Sequence, residues 1–206
     1  LLEIVPMIPC ICDEPMADAS IVPTALLSQW TREHVTVALG GDGGDELFYG
    51  YGAYKWARLL SNPAVRMIRK PAQMIMERMS SRYQRISKLL DYPDYSKVQS
   101  HIFSQEQYLF AEKEVRDLMA NKSGEVFSEN EMVMADNLTR IVTDHNLRGG
   151  INIQQRTLKP IEMQALYDVE NYLQDDLLTK VDRASMKYSI ETRVPYLDHR
   201  IVELAV

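Results

Sequence analysis

The chain has 206 residues, of which 46% are apolar, 25% are charged and 8% are aromatic. These proportions are typical of a folded globular protein, and they exclude a disordered, collagen-like or coiled-coil chain. With 23 basic and 29 acidic side chains the net charge is −6, so we expect no overall attraction to nucleic acid or to an anionic membrane.

The first part of the chain predicts half of an α/β unit. Apolar positions at helical spacing predict a helix over residues 21–33, with Pro23 near its start. A β-branched apolar run that ends in glycines predicts a buried parallel strand over residues 35–39. A second helix is predicted over residues 45–60, although its glycines weaken the first turns.

A basic, methionine-rich stretch follows over residues 58–88, with eight Lys or Arg against the single acid Glu77. One interpretation is a helix that binds a membrane surface or RNA. The preferred interpretation is a helix with a solvated basic face and its methionines packed inward, since Met is a common core filler. These methionines are Met67, Met74, Met76 and Met79.

The rest of the chain is predicted to be largely helical. Helices and turns are expected over residues 91–150, with a loop at 145–150. The helical pattern returns over residues 161–206 and is broken at 192–195 by the pre-proline sequence Thr-Arg-Val-Pro.

The two cysteines, Cys10 and Cys12, are one residue apart, which is too close for an ordinary structural disulfide and forms no zinc pattern. The cysteine content therefore predicts a protein of the reducing cytoplasm. No apolar run approaches membrane-spanning length. The chain starts without Met and stops within a helical pattern, which indicates a piece of a longer protein.

A glycine loop, GGDGGDELFYGY over residues 40–51, follows the predicted strand and opens a helix, where α/β sheets place their ligands. Its four leading glycines let the backbone approach a phosphate, and Asp42 and Asp45 would hold a hard cation between phosphate oxygens. The alternative is an ordinary turn in which Asp45 caps the helix and Glu46 favours its dipole. The loop matches no dinucleotide, P-loop or EF-hand motif, so both interpretations stay open.

An acidic segment, DEPMADASIVPT over residues 13–24, places Asp13, Glu14 and Asp18 around a proline just before a helix. It is a substrate-facing loop or a capped helix entry.

A C-terminal segment over residues 175–200 interleaves charged with apolar residues at helical spacing. Such alternation predicts a buried ion-pair network for Glu191, Arg193 and Asp198. The functional interpretation places Lys180 and Arg183 over an anionic ligand.

Taken in order, DEPMADAS, VALGGDGGDELFYGY and DDLLTKVDRASM with ETRVPYLD resemble the synthetase domain of glutamine-hydrolysing asparagine synthetases. The resemblance covers residues 5–60 and 160–206. It implies a predominantly helical α/β fold of the ATP-pyrophosphatase type (adenine nucleotide alpha hydrolase-like), here a partial domain with a parallel sheet. Residues 1–60 would form the nucleotide-site half, 61–160 a helical middle and 161–206 the C-terminal helices, without the N-terminal glutaminase domain.

The resemblance also implies a reaction. ATP with Mg²⁺ activates the side-chain carboxyl of aspartate as an acyl adenylate, pyrophosphate leaves, and ammonia from a glutaminase domain displaces AMP to give asparagine. Two alternatives stay open: a related ligase that amidates a sugar acid, a peptide or a β-lactam precursor, and a non-catalytic homologue that binds nucleotide or serves in assembly. No nucleic-acid or membrane partner is expected, and a homodimer is left open.

Carried over residue by residue, Gly40 and Gly41 match the backbone that meets ATP, and Asp45 matches the acid that holds magnesium on the pyrophosphate. Asp42 and Asp176 match acids beside the reacting carboxylate and are the predicted catalytic residues. Lys180 and Arg183 are assigned to the ATP side of the same pocket.

Two positions depart from the resemblance, since Gly40 stands where the family usually has Ser and Tyr49 where it usually has Gly. The family's Ser-Gly-Gly-x-Asp-Ser loop and its adenylate-stabilising lysine are not among the 206 residues. We therefore expect the chain alone to be catalytically silent.

Overall fold

The structure is a computed structural model that describes residues 3–14, 16–92, 94–107 and 157–205. The described residues are predominantly helical, and two strands form a small parallel sheet. The chain divides into two compact units: a first unit of Leu1–Gly50 with Asp168–Val206, and a second unit of Tyr51–Tyr167. The predicted loop at 145–150, with most of the helices expected before it, lies outside the described residues.

The regular elements have the following bounds. The strands are β1 (Val37–Leu39) and β2 (Glu191–Arg193). The α-helices are α1 (Ile8–Cys12), α2 (Ile21–Arg32), α3 (Gly44–Phe48), α4 (Ala53–Leu60), α5 (Pro63–Met76), α6 (Ser81–Leu90), α7 (Val98–Glu106), α8 (Pro160–Tyr167), α9 (Thr179–Lys187) and α10 (His199–Ala205). A π-helix spans Asp168–Leu178, and short 3₁₀ turns span Val5–Met7, Tyr95–Lys97 and Pro195–Leu197.

The sheet confirms the predicted parallel strand but not its burial. β1 pairs in register with β2, with Ala38 opposite Thr192, and the helical pattern of the sequence did not predict β2. Leu39 is 74% exposed and Val37 is 39% exposed, so the prediction of a buried strand is wrong. Alternate side chains of a strand point to one face, and the described elements leave the face of these two residues uncovered.

The core of the first unit lies where α9 packs against α2 and α1. Ala25 and Ala184 are completely buried, and their small side chains allow the two longer helices to approach closely. Cys12 is a free, buried thiol, and burial raises its pKa. Helix α2 confirms the helix predicted over residues 21–33.

The helix predicted over residues 45–60 is interrupted. Helix α3 ends at Phe48, because Tyr49 adopts a left-handed conformation with φ of 59° and the Gly50 N–H donates to the Asp45 carbonyl oxygen. A non-glycine residue in this conformation costs about 1–2 kcal/mol. The left-handed backbone gives a physical reason for the glycine usual at this position in the resembling family.

The second unit has its own core, to which α4 contributes residues at spacings of four and three: Ala53, Ala57 and Leu60. Met76 packs against this core, but the predicted inward packing is wrong for Met67, Met74 and Met79, which are exposed. Two arginines of α5 stack on tyrosine rings, at 3.9 and 4.1 Å from the ring centroids. The stacked pairs are Arg66 on Tyr95 and Arg69 on Tyr92.

In the part of the chain that the structure describes, we find no helix that is both long and apolar enough to cross a membrane.

Candidate functional site

All the predicted site residues lie in the first unit. Within it, the C-terminal segment contacts both the glycine loop and the acidic segment. It contacts the glycine loop through the sheet and through apolar packing, and it contacts the acidic segment through ion pairs. The three segments that carry the resemblance therefore meet in one compact unit.

Gly43 and Gly44 both lie against the turn Pro195–Leu197, and of these two only Gly43 has no room for a Cβ atom. Gly43 has a φ of 83°, and a Cβ atom there would overlap the side chain of Leu197. A Cβ atom at Gly44 would lie 3.4 Å from the ring of Tyr196, which also makes an edge contact with Phe48. The 3₁₀ turn Pro195–Leu197 thus fixes the start of α3.

The first two glycines differ from each other. The Gly40 N–H donates to the Arg193 carbonyl oxygen at 2.8 Å, so it belongs to the strand ladder. No atom of the described residues lies within 4 Å of a Cβ position at Gly41. Gly41 is therefore where a ligand can approach the backbone of the loop most closely.

The Asp42 side chain folds back over the end of β1. A Cβ atom at Gly40 would lie 2.9 Å from Oδ2 of Asp42 and 3.4 Å from Cγ2 of Thr192. A serine at position 40, as in the resembling family, would require the Asp42 carboxylate to rotate. Glycine at this position therefore gives room to the present position of Asp42.

The Asp45 carboxylate lies on the first turn of α3 and packs against Gly50, where a Cβ atom would overlap it. The helix N-cap is Gly43, and it makes no side-chain capping bond, so the alternative in which Asp45 caps the helix is wrong. Within the described residues, neither Asp45 nor Asp42 has a side-chain hydrogen bond or an ion pair. Glu46, by contrast, is buried, which its assignment to the helix dipole did not predict.

Lys180 and Asp18 form a buried ion pair that the sequence did not predict. The Lys180 ammonium donates to Oδ2 of Asp18 at 2.5 Å and to Oγ of Ser20 at 2.7 Å. Ser20 donates to the same carboxylate through its backbone N–H at 2.8 Å and its hydroxyl at 2.7 Å. Lys180 is only 7% exposed, so its charge is compensated inside the protein.

The pKa values of two carboxyl groups at this ion pair are shifted in opposite directions. Burial favours the protonated form of Asp18, but the hydrogen bonds from Lys180 and Ser20 outweigh it and lower the pKa of Asp18. Burial and the charge of Asp18 raise the pKa of Asp176, and Lys180 offsets part of this rise. Asp176 lies four residues before Lys180 and thus one helical turn away.

Arg183 lies one turn after Lys180 and forms a more open ion pair, with 3.0 Å between its Nη2 and Oε1 of Glu14. Glu14 is mostly exposed. The acidic segment is therefore joined to α9 by one buried and one open ion pair.

The predicted buried network of Glu191, Arg193 and Asp198 is wrong. Arg193 donates to Glu191 at 2.7 Å, but both side chains are more than half exposed. As residues i and i+2 of a strand they share one face, and this is the face left uncovered. Asp198 pairs instead with Arg200, whose hydrogen bonds hold the pKa of Asp198 well below its usual range.

The donor set fits a magnesium ion that arrives with a nucleotide. No group of three His, Cys, Asp or Glu side chains that could hold a metal occurs within residues 3–14, 16–92, 94–107 and 157–205. Mg²⁺ is commonly held by one or two carboxylates together with phosphate oxygens and water. Asp45 and Asp42, which have no protein partner there, fit that pattern.

Comparison with known proteins identifies the family of the chain. The asparagine synthase family model matches residues 1–206. A curated relative, asparagine synthetase [glutamine-hydrolyzing] 1 of Bacillus subtilis, is 25% identical over 94% of the chain and 28% of its own length. A putative asparagine synthetase [glutamine-hydrolyzing] of Mycobacterium tuberculosis is 26% identical over 94% of the chain and 27% of its own length.

A putative asparagine synthetase [glutamine-hydrolyzing] 2 of Methanocaldococcus jannaschii is 56% identical over 41 residues, which is 20% of the chain and 8% of that relative. The chain thus spans little more than a quarter of the length of the relatives that match it along most of its residues. No solved structure matches the chain.

Proposed function

The chain belongs to the asparagine synthase family, and we propose that it is part of an ATP-dependent enzyme that amidates aspartate to asparagine. In the proposed reaction the aspartate side-chain carboxylate attacks the α-phosphorus of ATP, and the bond to pyrophosphate breaks. Ammonia derived from glutamine then attacks the acyl carbon of the β-aspartyl adenylate, and the bond to AMP breaks.

The observation that carries the proposal is the loop at the carboxyl end of β1. There, Gly41 is open to a ligand, and Asp42 and Asp45 carry carboxylates without a partner in the described part of the chain. An open backbone next to two available carboxylates suits a nucleotide that brings its own cation. The whole-chain family match supports the same assignment.

We assign the following roles. Asp45 would hold Mg²⁺, which neutralises charge on the leaving pyrophosphate when bound. The backbone at Gly41 would contact the nucleotide, and Asp42 would orient the substrate carboxylate. Asp176 would face the same pocket, where burial and the charge of Asp18 raise its pKa.

The test is isotope exchange between ATP and pyrophosphate in the full-length protein that contains this chain, with aspartate and magnesium present. We expect Asp45→Asn to lower the exchange rate by at least about 10²–10³-fold, because a charge-stabilising group is lost. The matched control is Glu203→Gln, which removes an exposed carboxylate on α10 and should leave the rate within about twofold. Unchanged exchange in Asp45→Asn would overturn the assignment.

The same assay separates the alternatives. Exchange that depends on a sugar acid or a peptide carboxylate, and not on aspartate, would show a related ligase. ATP binding without exchange under any carboxylate would show a non-catalytic homologue.

A further inference from the structure

We propose that Asp18 is a positioning residue of this site, which holds Lys180 beside Asp176 so that Lys180 compensates two carboxylates and does not contact the nucleotide phosphates. The inference deepens the proposed function and rests on it for the role of Asp176. The position of Lys180 itself rests on geometry alone.

The hydrogen bonds of Lys180 leave little room for a phosphate. Two of its three N–H donors are used, toward Asp18 at 2.5 Å and toward Ser20 at 2.7 Å. The third N–H belongs to a side chain that is only 7% exposed, and a phosphate contact through either of the other two would separate Lys180 from Asp18 or Ser20. The pair is therefore a fixed part of the site.

Asp18 is itself held in place from both sides. Its two carboxylate oxygens accept the backbone N–H and the hydroxyl of Ser20, two residues along the chain. The spacing Asp-x-Ser just before α2 thus gives the carboxylate one orientation, and Lys180 meets it from α9. This contact is a physical reason for the acidic and C-terminal segments to occur together.

The charges around Asp176 come from several elements. Lys180 follows it by one turn, and Asp18 lies on the other side of Lys180. The π-helix that carries Asp176 packs against α3 and α9. Other charged residues on these elements and beside them are Asp168, Glu170 and Asp175 on the π-helix, Asp45 and Glu46 on α3, Asp182, Arg183 and Lys187 on α9, and Asp13 and Glu14 before α2.

This arrangement predicts opposite responses of Asp176 to removal of the two partners. Asp18→Asn removes a negative charge and leaves the Lys180 charge unshared, so the pKa of Asp176 should fall. Lys180→Met removes the cation and leaves Asp18, so the pKa of Asp176 should rise. Opposite shifts would show that both charges lie close to Asp176, and the effect of Asp18→Asn on kcat and KM separates a positioning role from a merely structural one.

The experiment is a carbon-13 NMR titration of the full chain with labelled aspartate carboxyls, in which Asp176→Asn assigns the Asp176 signal. Arg183→Met is the matched control, because it removes a cation one turn away whose partner is exposed Glu14. We expect the two shifts to be opposite in sign and each larger than that of the control. Shifts of the same sign, or no larger than the control, would overturn the proposal.

A second measurement uses the wild-type protein, so its result does not depend on whether a variant folds. In the wild-type full-length protein with labelled lysine nitrogens, addition of Mg-ATP should leave the Lys180 ammonium signal unmoved; a large shift would show that Lys180 contacts the nucleotide.

In exchange assays, Asp18→Asn should lower kcat by up to about 10²-fold, as for a misplaced group, and leave KM for ATP within about twofold. If wild-type protein shows no exchange, the proposed function fails, and the NMR titration still decides the position of Lys180.

Discussion

The acidic side chains on the two sides of the candidate site differ in whether they have a partner. The loop side is the glycine loop over residues 40–51, and the helical side is Asp18 with Lys180 on α9 and Asp176 on the π-helix. On the loop side, the carboxylates of Asp42 and Asp45 have no hydrogen-bond or ion-pair partner in the described part of the chain. On the helical side, Asp18 is bound by Lys180 and Ser20, and the pair is largely buried. The carboxylates of the loop side are available to a ligand, whereas the charges of Asp18 and Lys180 on the helical side compensate each other inside the protein.

This difference predicts separate roles for carboxylates without a partner, which serve binding and chemistry, and for carboxylates in an ion pair, which serve stability. A carboxylate without a partner stays solvated until a cation arrives, so its removal should affect binding and chemistry and leave the fold intact. A carboxylate in a buried pair fixes the helices that carry it, so removal of one partner leaves an uncompensated charge. The predictions below test this division.

The largest expected effect concerns the chain as a whole. We predict no measurable ATP–pyrophosphate exchange with aspartate and ammonia from the 206 residues alone, at saturating ATP and magnesium. The loop side supplies one assigned metal ligand and part of the phosphate contacts, and the loss of even one charge-stabilising group typically costs about 10²–10³ in rate. Turnover well above a buffer control would show that open carboxylates on the loop are sufficient.

The next effect is on stability. Lys180→Met should lower the free energy of unfolding by about 3 kcal/mol, the lower end of the range for a buried pair, because Asp18 is left without its cation but is 21% exposed. Asp45→Asn should change it by no more than about 0.5 kcal/mol, as for a surface substitution. Urea denaturation of the two variants measures the difference, and equal losses would contradict the division into two sides.

A smaller effect separates the glycines of the loop. Gly43→Ala should cost about 1–3 kcal/mol, since alanine is strained at a φ of 83° and its methyl group would overlap Leu197. Gly41→Ala meets open space in the described residues and should leave the free energy of unfolding within about 1 kcal/mol. The same denaturation assay checks both, and a costly Gly41→Ala would show that Gly41 also has a packing role.

Local chemistry made part of this structure predictable. The helix over residues 21–33 and the parallel strand before the glycine loop followed from apolar periodicity and from glycine placement. The buried pair of Asp18 and Lys180 did not, because its partners are 162 residues apart. A single sequence contains no signal for such a pairing, although the charged residues of the acidic segment marked one side of it.

The failed predictions have a common cause. Alternating or periodic residues define which side chains share a face, but they do not say which face another element covers. Leu39 and Arg193 lie opposite each other on β1 and β2 and are both exposed. In α5, Val65, Ala72 and Met76 pack against the core, whereas Met67 and Met74 are exposed.

The smallest expected effect is that of Arg193→Ala. Its bond to Glu191 is short, at 2.7 Å, but the two side chains are 64% and 59% exposed, and exposed pairs contribute about 0–1 kcal/mol. The backbone carbonyl of residue 193, which accepts the Gly40 N–H, is kept in the variant. We therefore expect a melting temperature close to that of wild type and, in the full-length protein, unchanged exchange. A large loss of stability would place Arg193 among the paired charges of the helical side, and lost exchange in a stable variant would make Arg193 a substrate residue.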